Sequence, residues 1–204
     1  MKVDRPPPGE ELNEGEVATP RQAATLVLLR DGSDGPEVLL VRRNPRQSFM
    51  GGAWVFPGGA LHEDDLDLAA AAVRELAEEA EIQLPAETEL VPWSRWITPE
   101  AVKVRFDTWF FMAEAPLGAE PTPDGGECVD ARWLRPAAAL DAHSRDELML
   151  VFPTIKHLEA LANFESVAAA LAGARRQETV PVQPKVVIRG DSARILLPGE
   201  PGND

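Results

Sequence analysis

Apolar and polar positions alternate between two periods along this chain. Gln22–Arg30 reads Gln-Ala-Ala-Thr-Leu-Val-Leu-Leu-Arg, a short apolar run that predicts a buried strand. The turn cluster Asp31-Gly32-Ser33-Asp34-Gly35-Pro36 and the run Glu37–Arg42 complete a hairpin. Ala53–Phe56 reads as a short strand that stops at Pro57-Gly58-Gly59, after a loop marked by Asn44-Pro45 and Gly51-Gly52. The period then changes. Ala69, Val73, Leu76 and Ala80 form one apolar stripe of a helix over 67–81, with Asp64, Asp65 or Asp67 as its cap. On a helical wheel Glu75, Glu78 and Glu79 fall opposite that stripe. Strands are expected at 88–97, 104–113 and 127–134, with a loop from Pro121 to Gly126. Helices are expected at 136–142 and, as one long amphipathic rod, at 154–174. A last pair of strands is expected at 180–188 and 193–197. This order predicts an α/β fold, a mixed sheet with helices on its faces.

Residues 1–20 are rich in Pro and Glu and read as a mobile arm, and 198–204 as a loose tail. The folded part divides into a domain over 21–142 and a helical extension over 143–197, packed on the domain or on a second copy of the chain in a homodimer. Charge narrows the partners. Twenty basic against 34 acidic residues leave a net charge of −14, so nucleic acid is not an expected partner. No apolar run approaches a membrane span, and the first residues lack the apolar centre of a signal peptide. The single cysteine, Cys128, suits a reducing compartment. A cytoplasmic location is therefore expected, without a membrane partner.

The chemistry concentrates in two segments. Phe56-Pro57-Gly58-Gly59 is followed, fifteen residues beyond Gly59, by Arg74-Glu75-Leu76-Ala77-Glu78-Glu79. The i, i+3 and i, i+4 spacings let all three carboxylates approach one point beside a helical turn. A hard divalent cation relieves their mutual repulsion, and Mg²⁺ accepts carboxylate oxygens while keeping substrate phosphates in its shell. The Gly58-Gly59 backbone can approach closely enough to add a carbonyl. An isolated E-x-x-E-E motif is usually just a solvated helix face. The glycine pair upstream is what distinguishes this one.

These residues resemble the box of the Nudix hydrolases, G-x5-E-x7-R-E-U-x-E-E-x-G-U, over roughly residues 20–140. The resemblance implies an α/β/α sandwich that hydrolyses a nucleoside diphosphate linked to another moiety, with Mg²⁺ or Mn²⁺. It carries Gly58, Glu75, Glu78 and Glu79 to metal-ligand positions and gives Arg74 the task of holding Glu75. The general base varies within the family, which leaves Glu75 and the later-loop carboxylate Glu127 as alternatives. There are two departures. One extra residue lies between Gly59 and Arg74, so Leu66 falls where the first Glu belongs. Asp65 is the expected substitute, with Glu63 and Asp67 as rivals. Glu81 replaces the closing Gly, so either it adopts a left-handed conformation or the helix runs on.

Leu39–Arg46, Phe49–Gly59, Trp96-Ile97-Thr98-Pro99 and Arg105-Phe106-Asp107-Thr108 are similar to bacterial relatives of the peroxisomal coenzyme A diphosphatases. That similarity implies coenzyme A or acyl-coenzyme A as substrate. An ADP-sugar or dinucleotide diphosphatase is the alternative enzyme, and a non-catalytic nucleotide-binding module the alternative class. Arg42, Arg43 and Arg46 form the densest basic cluster, and Arg43 and Arg46 are the expected phosphate ligands. Trp93, Trp96 and Trp109 either stack a base or belong to the core.

Overall fold

The computed structural model describes residues 11–13, 15–189 and 192–203. Its strands are β1 (Arg21–Gly32), β2 (Gly35–Arg43), β3 (Trp54–Val55), β4 (Gly58–Ala60), β5 (Val91–Ile97), β6 (Phe106–Glu114), β7 (Cys128–Leu134), β8 (Pro181–Val182), β9 (Lys185–Arg189) and β10 (Ser192–Leu196). Its helices are α1 (Leu68–Ala80), α2 (Pro136–Ser144), α3 (Phe152–Leu161) and α4 (Val167–Arg176). The main sheet runs β3-β2-β1-β6-β5-β8, with β4 paired to β1 and β7 to β2. The sheet is mixed: β1 runs parallel to β6, while β1–β2, β2–β7 and β5–β6 are antiparallel.

The expected hairpin forms, closing with Gly32 opposite Gly35. β1 and β2 read as near-continuous apolar runs because both faces of the sheet are covered. On one face Leu26, Leu28, Leu39 and Val41 pack under Ala72, Leu76 and Ala80 of α1. On the other, Val27, Leu29, Val38 and Leu40 meet Leu158 and Leu161 of α3 and Val167, Ala170, Leu171 and Ala174 of α4. The result is the α/β/α sandwich.

Four expectations need correction. The rod expected over 154–174 is two helices. Asn163 donates its side-chain N–H to Glu159 O at 2.8 Å, and Ser166 caps α4 by accepting from Ala169 N at 3.2 Å. Those side chains satisfy the broken ends, so the chain can turn at 162–166 and lay both helices on the sheet. Among the described residues this extension packs on its own sheet. Second, the arm is tied down from Glu11 onward. Leu12 bridges Val102, Lys103 N donates to Glu11 O at 2.8 Å, and Arg105 Nη1 donates to Ala18 O at 2.7 Å. Residues 1–10 lie outside the described residues. Third, the tail folds into a turn. Gly199 N donates to Asn203 O at 3.1 Å, and Asn203 Nδ2 reaches Leu196 O at 3.1 Å. Fourth, Gly58–Ala60 does not merely end a strand but pairs with Ala23–Thr25 of β1. No described helix is long and apolar enough to cross a membrane.

Candidate functional site

The site begins with how α1 starts and stops. Asp67 is the N-cap, its carboxylate accepting from Ala70 N at 2.8 Å. At the other end Glu81 takes φ 54°, ψ 26°, and its N–H reaches Ala77 O. Of the two alternatives for this position, the left-handed one is adopted, and α1 stops where a Gly would have stopped it.

The helix does not present its three glutamates to solvent as a set. Glu75 and Glu79 are buried and Glu78 is exposed. The buried face of α1 is Ala71, Ala72, Glu75, Leu76, Glu79 and Ala80, so the wheel expectation of an opposite, solvated glutamate face holds only for Glu78. Glu75 and Glu79 point at β4 instead. Gly58 N donates to Glu79 Oε2 at 3.0 Å. A Cβ at Gly59 would collide with the Glu75 carboxylate, and one at Gly58 would lie 2.6 Å from Ala24 O. The glycine pair is therefore required by close approach, with the helix on one side and β1 on the other.

Arg74 and Asp65 fix the entry to this cluster. Arg74 donates Nε and Nη2 to the two oxygens of Asp65, both at 2.9 Å, and Nη2 also reaches Ala60 O at 3.1 Å. Asp65 thus fills the role left vacant by Leu66, while Asp67 caps the helix. The remaining nitrogen, Nη1, lies 2.9 Å from both Glu75 Oε1 and Glu78 Oε2. The hydrogen bonds from Arg74 hold Asp65 down to about 2. Burial pushes Glu79 up to about 7, against the Gly58 N–H, and neighbouring Glu75 adds to the rise. Burial also raises Glu75, with Arg74 opposing.

Glu127 joins the cluster from the loop after Pro123. Asp124 shapes that loop by accepting from Gly126 N at 3.0 Å, Glu127 N at 2.8 Å and Cys128 N at 2.7 Å. Against the opposing pull of burial, these N–H groups hold the Asp124 carboxyl below its usual range. Asn44 stitches the loop to the end of β2, donating N–H to Glu127 O and Nδ2 to Gly126 O, both at 2.8 Å. Neither residue stood out in the sequence. The signal for Asp124 was the Asp-Gly-Gly turn, in which an Asp side chain satisfies the amides that follow it. Cys128 lies beneath, with Sγ 3.5 Å from Glu79 Oε1 and its thiol pushed up by burial. That fits the buried small residue expected there.

The expected phosphate ligands separate. Arg46 is exposed, and its guanidinium takes no partner among the described residues. Arg43 is only 13% exposed in its side chain and is committed internally, to Glu127 at 3.0 Å, Glu79 at 3.8 Å and Phe49 O at 3.3 Å. Arg42 alternates to the other face of β2. Trp93 and Trp96 take the core alternative, packing 4.7 and 5.5 Å from the buried His157 ring. Trp109 is half-buried under the Arg95 guanidinium, 5.5 Å from its ring.

Among the described residues no three acidic, His or Cys groups stand together as a ready ligand set. Arg74 Nη1 occupies the space between Glu75 and Glu78, and Glu79 is turned to Gly58 N. The donors nonetheless fit a hard divalent ion in type and charge. All are oxygens, and two belong to buried carboxylates that burial itself drives toward the protonated form.

A model of the NUDIX domain matches residues 19–151. Among curated proteins, the uncharacterized Nudix hydrolase NudL of Citrobacter koseri is 40% identical over 78 residues. That stretch is 38% of this chain and 39% of the relative, so the chain spans well under half the relative's length. Among solved structures, a NUDIX hydrolase from Alicyclobacillus acidocaldarius superposes with a TM-score of 0.68 at 29% identity, over 76% of this chain and 96% of that one. An Ap4A hydrolase of C. elegans superposes with a TM-score of 0.56 over 75% of this chain and 98% of its own, and its 21% identity makes this a likeness of fold alone.

Proposed function

Because this chain belongs to the Nudix domain family, we propose that it is a metal-dependent hydrolase cleaving the diphosphate bond of a nucleoside diphosphate derivative. One observation carries the reading: Glu75 and Glu79 are buried against a glycine pair that leaves room for their carboxylates, with Glu78 beside them at the surface. Burying two acids is costly for a fold that gains nothing from them. A binding module that had lost turnover would have no use for that arrangement, which disfavours the non-catalytic alternative.

The ligands are the carboxylates of Glu75, Glu78 and Glu79 and the carbonyl of Gly58. When bound there, Mg²⁺ or Mn²⁺ neutralises the diphosphate and acidifies a water. The chain supplies the rest. Arg74, anchored by Asp65, orients Glu75 and Glu78. Glu127, half-exposed at the rim, takes the proton of the attacking water, with Glu75 as the alternative base. Arg46 meets a substrate phosphate from the surface. Water adds to one phosphorus, the bridging oxygen leaves with the other, and two phosphate monoesters are released.

For the substrate we propose coenzyme A or acyl-coenzyme A, supported by the segments Leu39–Arg46 and Phe49–Gly59 that line this end of the sheet. An ADP-sugar or a dinucleotide is the second reading. A panel of coenzyme A, acyl-coenzyme A, ADP-ribose, NADH and dinucleoside polyphosphates, each with Mg²⁺ or Mn²⁺, tests the choice. Highest kcat/KM on a coenzyme A thioester or its thiol supports the first reading. Preference for a simple nucleoside triphosphate, or full turnover in excess chelator, contradicts the proposal.

A further inference from the structure

We propose that Arg43 is a positioning residue that straps two loops together over the buried carboxylates and so holds Glu127 at the site. This departs from the phosphate-binding role expected for it. A guanidinium has three nitrogens, and in Arg43 each has a protein partner. Nε donates to Phe49 O at 3.3 Å, Nη2 to Glu127 Oε1 at 3.0 Å, and Nη1 lies 3.8 Å from Glu79 Oε1. Arg46, three residues on, is exposed, and its guanidinium has no partner among the described residues. With its side chain only 13% exposed and each nitrogen turned to one of these partners, Arg43 offers a phosphate little free surface.

The local backbone explains why the strap lies here. In the β2–β7 ladder Arg42 faces Asp130, but Arg43 faces Cys128, so Val129 has no partner. Such a bulge bends its strand and re-aims the side chains beyond it. It turns Cys128 to the α1 side of the sheet, where its thiol meets Glu79, and brings Glu127 over the end of β2. Arg43 then spans the loop of residues 44–52 through Phe49, the loop of residues 122–127 through Glu127, and α1 through Glu79. Asn44 and Asp124 fix the backbone of the second loop without touching its carboxylate. Among the described residues only Arg43 holds the carboxylate itself.

The kinetic part of the test rests on the hydrolase reading, and the exchange part does not. In the full chain, Arg43→Gln is compared with Arg43→Lys, Glu127→Gln, the Arg43→Gln/Glu127→Gln pair and Arg46→Gln. Amide exchange by mass spectrometry should show faster exchange in both 44–52 and 122–128 for Arg43→Gln, and no change there for Arg46→Gln. Unchanged exchange in both loops of Arg43→Gln overturns the strap whether or not the protein turns over any substrate. In assays, Arg43→Gln should lower kcat about 10- to 100-fold, as for residues that orient ligands, with KM moving less than about threefold. Arg43→Lys should recover little, because one ammonium cannot reach three partners. The double variant should be no slower than the slower single one, as for residues acting as a unit. A large rise in KM with kcat retained, or fully additive losses, would instead make Arg43 a substrate ligand and overturn the proposal. If no variant, nor the wild type, hydrolyses any diphosphate, the functional reading fails while the exchange result still decides the strap.

Discussion

Two of the regions that bury ionisable side chains in this protein do so in opposite ways. On the face of α3, His157 is enclosed by Phe110, Trp93, Trp96 and Phe56, with ring centroids 4.2 to 6.0 Å away. Pro153 O, 2.7 Å from Nδ1, can only accept, so Nδ1 carries the proton and Nε2 accepts from Ser94 Oγ at 2.6 Å. Burial drives the group down to about 3, and it stays neutral with both nitrogens satisfied. On the face of α1, Glu75 and Glu79 sit at a similar depth but are driven toward protonation by burial, against the opposing pull of Arg74 and Arg43. The first region is complete as it stands. The second keeps two acids buried with only Arg74 and Arg43 beside them, the arrangement on which the proposed function rests.

The largest effect expected from this contrast is on turnover. Glu78→Gln, at a surface position that packs against little, should lower kcat by roughly 100-fold or more with the circular dichroism spectrum unchanged. Full Mg²⁺-dependent turnover in that variant removes Glu78 from the ligand set.

Next in size is a gain in stability. Burial lifts the Glu79 carboxyl from its ordinary 4.5 to about 7 in the folded chain. Between those values the folded state holds the extra proton, so stability falls as pH rises through this window. The full cost, about 3 kcal/mol, is reached above pH 7. Glu79→Gln in chelator should therefore be more stable than the parent by denaturant titration at pH 8, with the advantage fading toward pH 5. A variant less stable at both pH values would mean that Glu79 is a structural group like His157.

His157 should give the opposite slope. Its folded value of about 3 lies below the ordinary 6.5, so below pH 6.5 the unfolded chain binds the proton first. Stability then falls with acidification by up to about 1.4 kcal/mol per pH unit. His157→Gln should lose that component, which urea titrations at pH 7 and pH 5 measure directly. An unchanged difference between the two pH values would contradict a neutral, enclosed imidazole. The smallest effect is local: Glu81→Gly, at φ 54°, should raise stability by about 1 kcal/mol.

The contrast also separates what was legible in the sequence from what was not. The approximate bounds of α1 followed from periodicity, with Asp67 among three candidate caps, and counting residues favoured Asp65 as the substitute carboxylate without naming Arg74 as its partner. The hairpin was written in its turn residues. The burial of Glu75 and Glu79 was not legible, because a wheel ranks faces by hydrophobicity and cannot know that β4 brings two glycines under the acidic face. The break between α3 and α4 was signalled by Asn163 and Ser166, but the apolar stripe through both segments outweighed those caps. Arg43 and Arg46 looked alike in sequence. Arg43 lies beside a bulge at Val129, which no local pattern encodes, and turns inward to Glu79 and Glu127, while Arg46 stands at the surface.

The central claim is that the acids of α1 and the glycine pair hold a divalent cation. Anomalous diffraction from a crystal soaked in Mn²⁺ tests it most directly. The account predicts a peak bounded by the carboxylates of Glu75, Glu78 and Glu79 and by Gly58 O, with Nη1 of Arg74 withdrawn from the gap between Glu75 and Glu78. A soaked crystal with no peak there, and Arg74 still bonded to both glutamates, would contradict it.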